Sequence, residues 1–283
     1  MTDEASQQFL ERAIPQYLVH APLALCLREL NRLLALRWIE GRHGRLEGPV
    51  LDVGCGDGYW WKFLDRVDRQ VFGVDISARE LEQARRVLDG VERADVSCCV
   101  PFAGRSFRGV IGNCSLEHVP DIDSALRNLR RAVGAGARLV TFVPTATWAI
   151  QGRTQSFLMR HLPRLGMAFA GALNGFFQHW HVYHHRVWTS LLQASGWEVE
   201  AIYGLGNRRS EFLFRAFLPL GFVAFLVKTV TGHYPNRLLR YLPAALLVPS
   251  VTLVRRALAS PIVDADEPAA YELVLVARAR VEP

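Results

Sequence analysis

The sequence predicts an α/β fold organised around a doubly wound, mostly parallel sheet. Three observations carry that prediction. Val50, Leu51 and Val53 form a short apolar run that ends in a turn with glycines at 54, 56 and 58. Strand, glycine turn, then helix is a place where a nucleotide-like ligand can approach the backbone, because glycine has no side chain and tolerates positive φ. Gln70 to Asp75 reads as a second strand ending in an acid, 23 positions after Asp52. An acid at that tip can accept hydrogen bonds from ribose hydroxyls. Strand-length apolar runs then alternate with helical periodicity, the pattern of crossover-connected strands.

The elements follow in order. Residues 7–40 read as helical, with Pro15 and Pro22 as breaks. Leu23, Leu27, Leu30, Leu34 and Trp38 recur at three and four, an apolar stripe for packing over the sheet or the mouth of a ligand cleft. Strand one is 50–53, and a helix begins near Gly58. Strand two is 70–74. Ser77, with Glu80 three positions on, caps the next helix. Strand three lies near 91–95, strand four at 109–113 and strand five at 138–143, with Asp121 or Asp123 capping the helix between the last two. A helix over 186–195 leads through Gly196 to strand six, 197–203. Strand seven is 271–278.

The loop chemistry narrows the ligand. A dinucleotide site wants G-x-G-x-x-G. Here the spacing is G-x-G-x-G, and position 59 is Tyr. Asp52 and Asp57 would sit badly beside a pyrophosphate and tolerably beside a cation. S-adenosylmethionine carries a sulfonium and an ammonium and no phosphate, so the acidic loop favours it over NAD.

At this point the chain resembles the class I S-adenosylmethionine-dependent methyltransferases. VLDVGCGDG resembles the family's first motif, and GVDIS (Gly73 to Ser77) its ribose-binding acid. Ala94-Asp95-Val96 resembles the adenine-contacting turn. Val100-Pro101-Phe102 and SLEHVPD (Ser115 to Asp121) resemble the segments flanking the fourth strand, and Val133 to Phe142 the helix-to-strand step beyond it. Two departures are an arginine, Arg108, where the family usually has an acid, and Ala135-Gly136-Ala137 in place of Pro-Gly-Gly. The resemblance implies a seven-stranded Rossmann-like sheet with its last strand antiparallel at the edge. It implies a cofactor site at Asp52, Gly54, Cys55, Gly56, Asp75, Ile76, Asp95, Val96, Asn113 and Ser115. In it, Asp75 holds the ribose, Asp95 and Val96 meet the adenine, and Asn113 and Ser115 lie near the methionine ammonium.

The organisation expected is an N-terminal helical cap (1–45) and a cofactor-binding domain (46–205 plus 269–283). Within that domain 145–183 is a substrate-cap insertion, and a second insertion, 206–268, is helical, apolar and basic. From 207 to 260 eight basic residues face one acid, Glu211, in a chain whose net charge is +6. The uncharged runs 216–227 and 241–254 are shorter than the roughly 20 residues of a spanning helix. Pro219, Pro243 and Pro249 interrupt them. Two short apolar helices rimmed by arginine suit a segment lying in a lipid headgroup layer, and plain core is the alternative. No nucleic-acid recognition motif is present.

The five cysteines (26, 55, 98, 99, 114) lack C-x-x-C spacing and fit a reduced compartment. The N-terminus opens on acidic and polar residues, without a secretory pattern. The expected location is cytoplasmic, peripheral on the inner face of a membrane.

Methyl transfer needs in-line positioning and, for some acceptors, a base. His118, after strand four, and His184, in the histidine run 179, 181, 184 and 185, are the candidate bases. That run contains no carboxylate or cysteine and no zincin spacing, so no metal is expected. The reading is a methyltransferase with a small-molecule or lipid-like acceptor, hydrophobic or membrane-associated. A soluble small-molecule or sugar acceptor, and a non-catalytic membrane-docking protein, are the alternatives.

Overall fold

The computed structural model describes residues 4–258 and 262–281. Residues 1–3, where the leader reading begins, and 259–260, at the end of the basic segment, lie outside them. Two helices open the chain, α1 (Glu4–His20) and α2 (Leu23–His43). Pro15 lies inside α1 rather than breaking it, whereas Pro22 separates the pair.

The strands are β1 (Val50–Val53), β2 (Val71–Asp75), β3 (Gly90–Arg93), β4 (Phe107–Asn113), β5 (Val133–Pro144), β6 (Trp197–Leu205), β7 (Ile262–Val263) and β8 (Glu272–Ala279). They form one sheet in the order β3-β2-β1-β4-β5-β8-β6-β7. β1 pairs in parallel with β2 and β4, β2 with β3, and β4 with β5. The reversal of strand order beside β1 opens a crevice at the carboxyl ends of β1 and β4, where ligands bind in such sheets.

Two expectations change. The sheet has eight strands because the two-residue β7 pairs antiparallel with β6. The last strand, β8, is antiparallel as expected but lies between β5 and β6, not at the edge. It is buried along almost its whole length, because helices cover both sheet faces and leave no solvated side.

Side chains alternate across the strands, so one run feeds two cores. Val50, Ile111 and Val140 face Leu27, Leu30 and Leu34 of α2. Leu51, Val110 and Leu139 face the opposite layer, made by α4 (Ile122–Arg131) and α7 (His185–Ala194) through Leu126, Leu129 and Trp188. Asp121 caps α4 by accepting from the Ser124 amide.

A buried ionic knot ties α2 to β8. Glu272 is fully buried and accepts from Arg28 Nε at 2.5 Å and Arg32 Nε at 3.0 Å. Asn31 Nδ2 donates to the Tyr271 hydroxyl at 2.9 Å. Burial alone would raise the Glu272 carboxyl, but Arg28 and Arg32 outweigh it and hold it at about 2.

The two inserted segments are helical. After β5 come α5 (Arg153–His161) and α6 (Pro163–Phe176). After β6 comes α8 (Arg208–Thr231), one continuous 24-residue helix with Pro219 inside it. This corrects the expectation that the first of the two apolar runs is a short helix. Proline costs one i→i−4 hydrogen bond, and packing of Gly221 against Ala24 of α2 carries the helix past it. α8 has the length and composition of a membrane-crossing helix, and 11% of its most apolar window is buried. Short turns (Pro235–Tyr241, Ala244–Leu247) and α9 (Val248–Ala257) follow.

Candidate active site

The glycine turn after β1 is built from left-handed residues: Gly54, Gly56 and Gly58 have φ of 67°, 53° and 70°. A Cβ on Gly54 would stand 2.4 Å from the Ser115 Cβ, so the turn presses against the loop after β4. The Gly56 amide donates to Asp75 Oδ2 at 3.0 Å, and the Ser77 amide to Oδ1 at 2.8 Å. These bonds fix the Asp75 carboxylate at the tip of β2, and each oxygen keeps a further acceptor site. Ser77 also caps α3 (Ala78–Ala84).

Next to this turn is a cavity of about 710 Å³ lined by Gly54, Asp75, Ile76, Asp95, Val96, Ser115 and His118 among others. Asp95 Oδ1 accepts from the Ser97 amide and hydroxyl at 2.8 and 2.6 Å, which lowers its carboxyl below the usual range. Asn128 Nδ2 donates to the Val96 carbonyl at 2.9 Å and fixes that turn from below.

Four of the residues expected at the cofactor lie outside the lining. Asp52 is buried under the turn, bonded to Trp61 Nε1 at 2.6 Å. Burial pushes its carboxyl up to about 7, against the opposing pull of Trp61. Cys55 packs down into the space over Gly73. Gly56 acts through its bond to Asp75. Asn113 accepts from Arg32 and donates to Glu29, at 3.0 and 2.9 Å. These residues shape the turn and its support.

The histidine run divides. His118 lines the cavity, with Nδ1 3.2 Å from the Gln178 carbonyl. His184 does not reach it. It is exposed, caps α7 by accepting from the Arg186 amide at 3.4 Å, and faces Asp266 at 3.5 Å. The expected base role for His184 is therefore corrected: it caps α7 at the end of the segment that follows α6 and is not among the residues lining the cavity. His185 meets the same Asp266 at 3.0 Å. His181 is buried, 2.8 Å from the Val119 carbonyl.

A family model described as a methyltransferase domain matches residues 18–202. The chain belongs to this methyltransferase family. Among curated relatives, 2-phytyl-1,4-naphtoquinone methyltransferase of Thermosynechococcus vestitus is 30% identical over 164 residues, 54% of this chain and 72% of that protein. Ubiquinone biosynthesis O-methyltransferase of Leptothrix cholodnii is 33% identical over 118 residues, 39% of this chain and 50% of that one. The chain thus spans only about half the length of the second. Among solved structures, a geranyl diphosphate C-methyltransferase from Streptomyces coelicolor, in complex with Mg2+, geranyl diphosphate and S-adenosyl-L-homocysteine, aligns with a TM-score of 0.53. It is 15% identical over 88% of this chain and 77% of that one. A possible histamine N-methyltransferase from Thermotoga maritima aligns with a TM-score of 0.52 at 16% identity, over 97% of this chain and 100% of that one. Both show a shared fold.

The methyltransferase uses S-adenosylmethionine, and its cavity suits that donor. Among the described residues lining it are two acids, Asp75 and Asp95, and no lysine or arginine. Such a lining accepts an adenosyl cation and offers nothing to a pyrophosphate.

Several lining residues escaped the sequence reading. Phe176, Phe177 and Gln178 come from the end of α6 and the turn beyond it, and Leu218, Gly221, Phe222 and Phe225 from α8. The apolar run of α8 was visible, but its place against the crevice depends on packing of α8 on α2. His20, at the end of α1, stacks on Tyr59 with ring centroids 3.5 Å apart and pairs with Asp57 at 3.1 Å, closing the turn from above.

Proposed function

We propose that this methyltransferase transfers a methyl group from S-adenosylmethionine to a hydrophobic, membrane-associated acceptor. The observation that carries the reading is a shared wall. Phe222 and Phe225 of α8 line the cavity, while Leu220, Val223, Leu226 and Val230 of the same helix are exposed. Leu165, Met167 and Phe169 of α6 are exposed as well, and the last residue of that helix, Phe176, packs on Phe222 and Phe225. Apolar surface of this kind marks an interaction site, and the arginines of 207–260 suit an anionic leaflet. Quinone-type acceptors, such as those in the names of two relatives, have the required character: a reactive ring and an apolar tail.

The donor supplies an activated methyl on a positively charged sulfur. The chain's residues bind and orient. Asp75 accepts from the ribose hydroxyls, Asp95 and the Val96 amide meet the adenine, and Gly54 and Ser115 bound the methionine end. Ile76 covers the adenosine. The apolar wall excludes water, and holding both partners together supplies much of the rate. The docked enzyme is peripheral on the inner face of a membrane.

The deciding experiment incubates the protein with methyl-labelled S-adenosylmethionine and either a total lipid extract or a soluble metabolite extract. Label in a lipid-soluble product supports the reading. Label confined to the soluble extract assigns a soluble acceptor instead. In parallel, the protein should float with anionic liposomes at low salt, and recovery in the soluble fraction ends the membrane part of the proposal.

A further inference from the structure

We propose that Glu117, His118 and His179 form a binding site for one divalent first-row cation beside the cavity. Their ligand atoms lie within 4.8 Å of one another. Glu117, in the turn after β4, is fully buried, and neither of its carboxylate oxygens has a hydrogen-bond partner. An ionised carboxylate is costly to bury without a partner. The Nδ1 of His179 is also buried and without one.

The surroundings orient these groups. The Gln178 carbonyl can only accept, so His118 Nδ1, 3.2 Å away, carries the proton. That leaves His118 Nε2, 3.8 Å from Glu117 Oε1, to present a lone pair. A second hydrogen bond of this kind fixes the tautomer of metal-binding histidines. The Trp180 and His181 amides both donate to the Glu117 carbonyl, at 2.8 and 3.2 Å. These two bonds pin the segment after α6 onto the turn after β4 and bring His179 opposite His118, rings 5.2 Å apart. Glu117 is thus the carboxylate that the histidine run lacked. The nearby cations Arg28 and Arg32 are already engaged by Glu272.

Two imidazoles and one carboxylate suit zinc, manganese, iron(II) or cobalt better than magnesium or calcium. Three protein ligands leave a position open, and His118 places it at the cavity wall. The ligand class for that position is an acceptor bearing a hydroxyl or enol oxygen. Coordination lowers the pKa of such a group, and its proton leaves to solvent. This role rests on the proposed methyl transfer, whereas cation binding itself does not.

The test titrates the metal-free whole chain with Co2+, followed by its visible absorption, with calorimetry using S-adenosylmethionine on the same samples. One Co2+ per chain is expected. Glu117→Gln and His179→Ala, which remove direct ligands, should each weaken it by at least the roughly hundredfold that loss of an outer-shell partner can cost, and His185→Ala, in the separate group with His184 and Asp266, should leave it unchanged. Should Glu117→Gln fail to fold, His179→Ala on its half-buried turn decides alone. Absence of a saturable one-to-one band, or its loss in His185→Ala instead, overturns the site. Donor binding without Co2+ binding overturns the cation site and leaves the methyltransferase reading standing. Co2+ binding without donor binding overturns the methyltransferase reading instead.

Discussion

The indole of Trp61 donates to Asp52 beneath the glycine turn at 2.6 Å, and the other oxygen of that carboxylate, Oδ1, is buried without a partner. One hydrogen bond does not offset burial of a full negative charge, and the Asp52 carboxyl rises to about 7. Its ordinary value is near 4, so the folded protein holds a proton there that the unfolded chain releases. Stability from this group is present at low pH and falls between about pH 4 and 7. In the donor-free protein, Asp52→Asn should remove that fall. A pH series of thermal unfolding checks it: the variant should gain on the wild type by a few kcal/mol on passing from about pH 5 to pH 8.

Glu272 behaves in the opposite sense. Its carboxyl is held at about 2 by Arg28 and Arg32, so its contribution is present above the ordinary carboxyl value and lost as pH falls toward 2. Glu272→Gln leaves the buried Arg28 without its counter-charge and Arg32 with Glu29 alone, at 3.1 Å. Urea unfolding at neutral pH should show a loss of about 3–5 kcal/mol. A loss below about 1 kcal/mol would mean that the knot behaves as an exposed ion pair.

Gly54→Ala should weaken S-adenosylmethionine binding by about tenfold or more. The added Cβ meets Ser115 at 2.4 Å, at a φ of 67°. Left-handed backbone costs a non-glycine residue about 1–2 kcal/mol, and relief of the clash pushes the turn from the loop after β4. Calorimetry measures the affinity, with Gly41→Ala, which has open space around it, as the control.

Asp75→Asn should also cost about tenfold in donor affinity, since it replaces a charge-assisted acceptor with a neutral one. The Gly56 and Ser77 amides bond separate oxygens, and Asn offers only one, so one amide loses its acceptor and stability should fall by about 1–3 kcal/mol. A large drop in stability with unchanged affinity would assign Asp75 a purely structural role.

On α8, Val223→Asp together with Leu226→Asp should abolish flotation with anionic liposomes. Both residues are exposed, at 57% and 50%, so stability should stay within about 0.5 kcal/mol per substitution. Flotation unchanged by the pair would move the docking surface elsewhere.

The sequence reading succeeded where information is local and failed where it is topological. The glycine turn, the acid at the end of β2 and the caps at Ser77 and Asp121 are set by neighbours within a few positions, and all four stand where the pattern puts them. β8 was read as an edge strand because nothing in Glu272 to Ala279 encodes which strands flank it. Pro219 read as a break because proline's cost is local, while the contact of Gly221 with Ala24 that offsets it is not. Glu117 meets His179, and Glu272 meets Arg28, across long stretches of chain. Each became visible only once the sheet order brought the strand ends together.

The thickness of α8 has a practical consequence. Its inner side faces the reaction chamber and its outer side faces the surroundings, so a single helix, about 10 Å across, is the partition between them. Detergent gathered on the outer side during purification would occupy the ground that an acceptor's tail would cross. Turnover measured in micelles would then report competition between detergent and acceptor as much as chemistry, and nanodiscs or liposomes would give the more faithful rate.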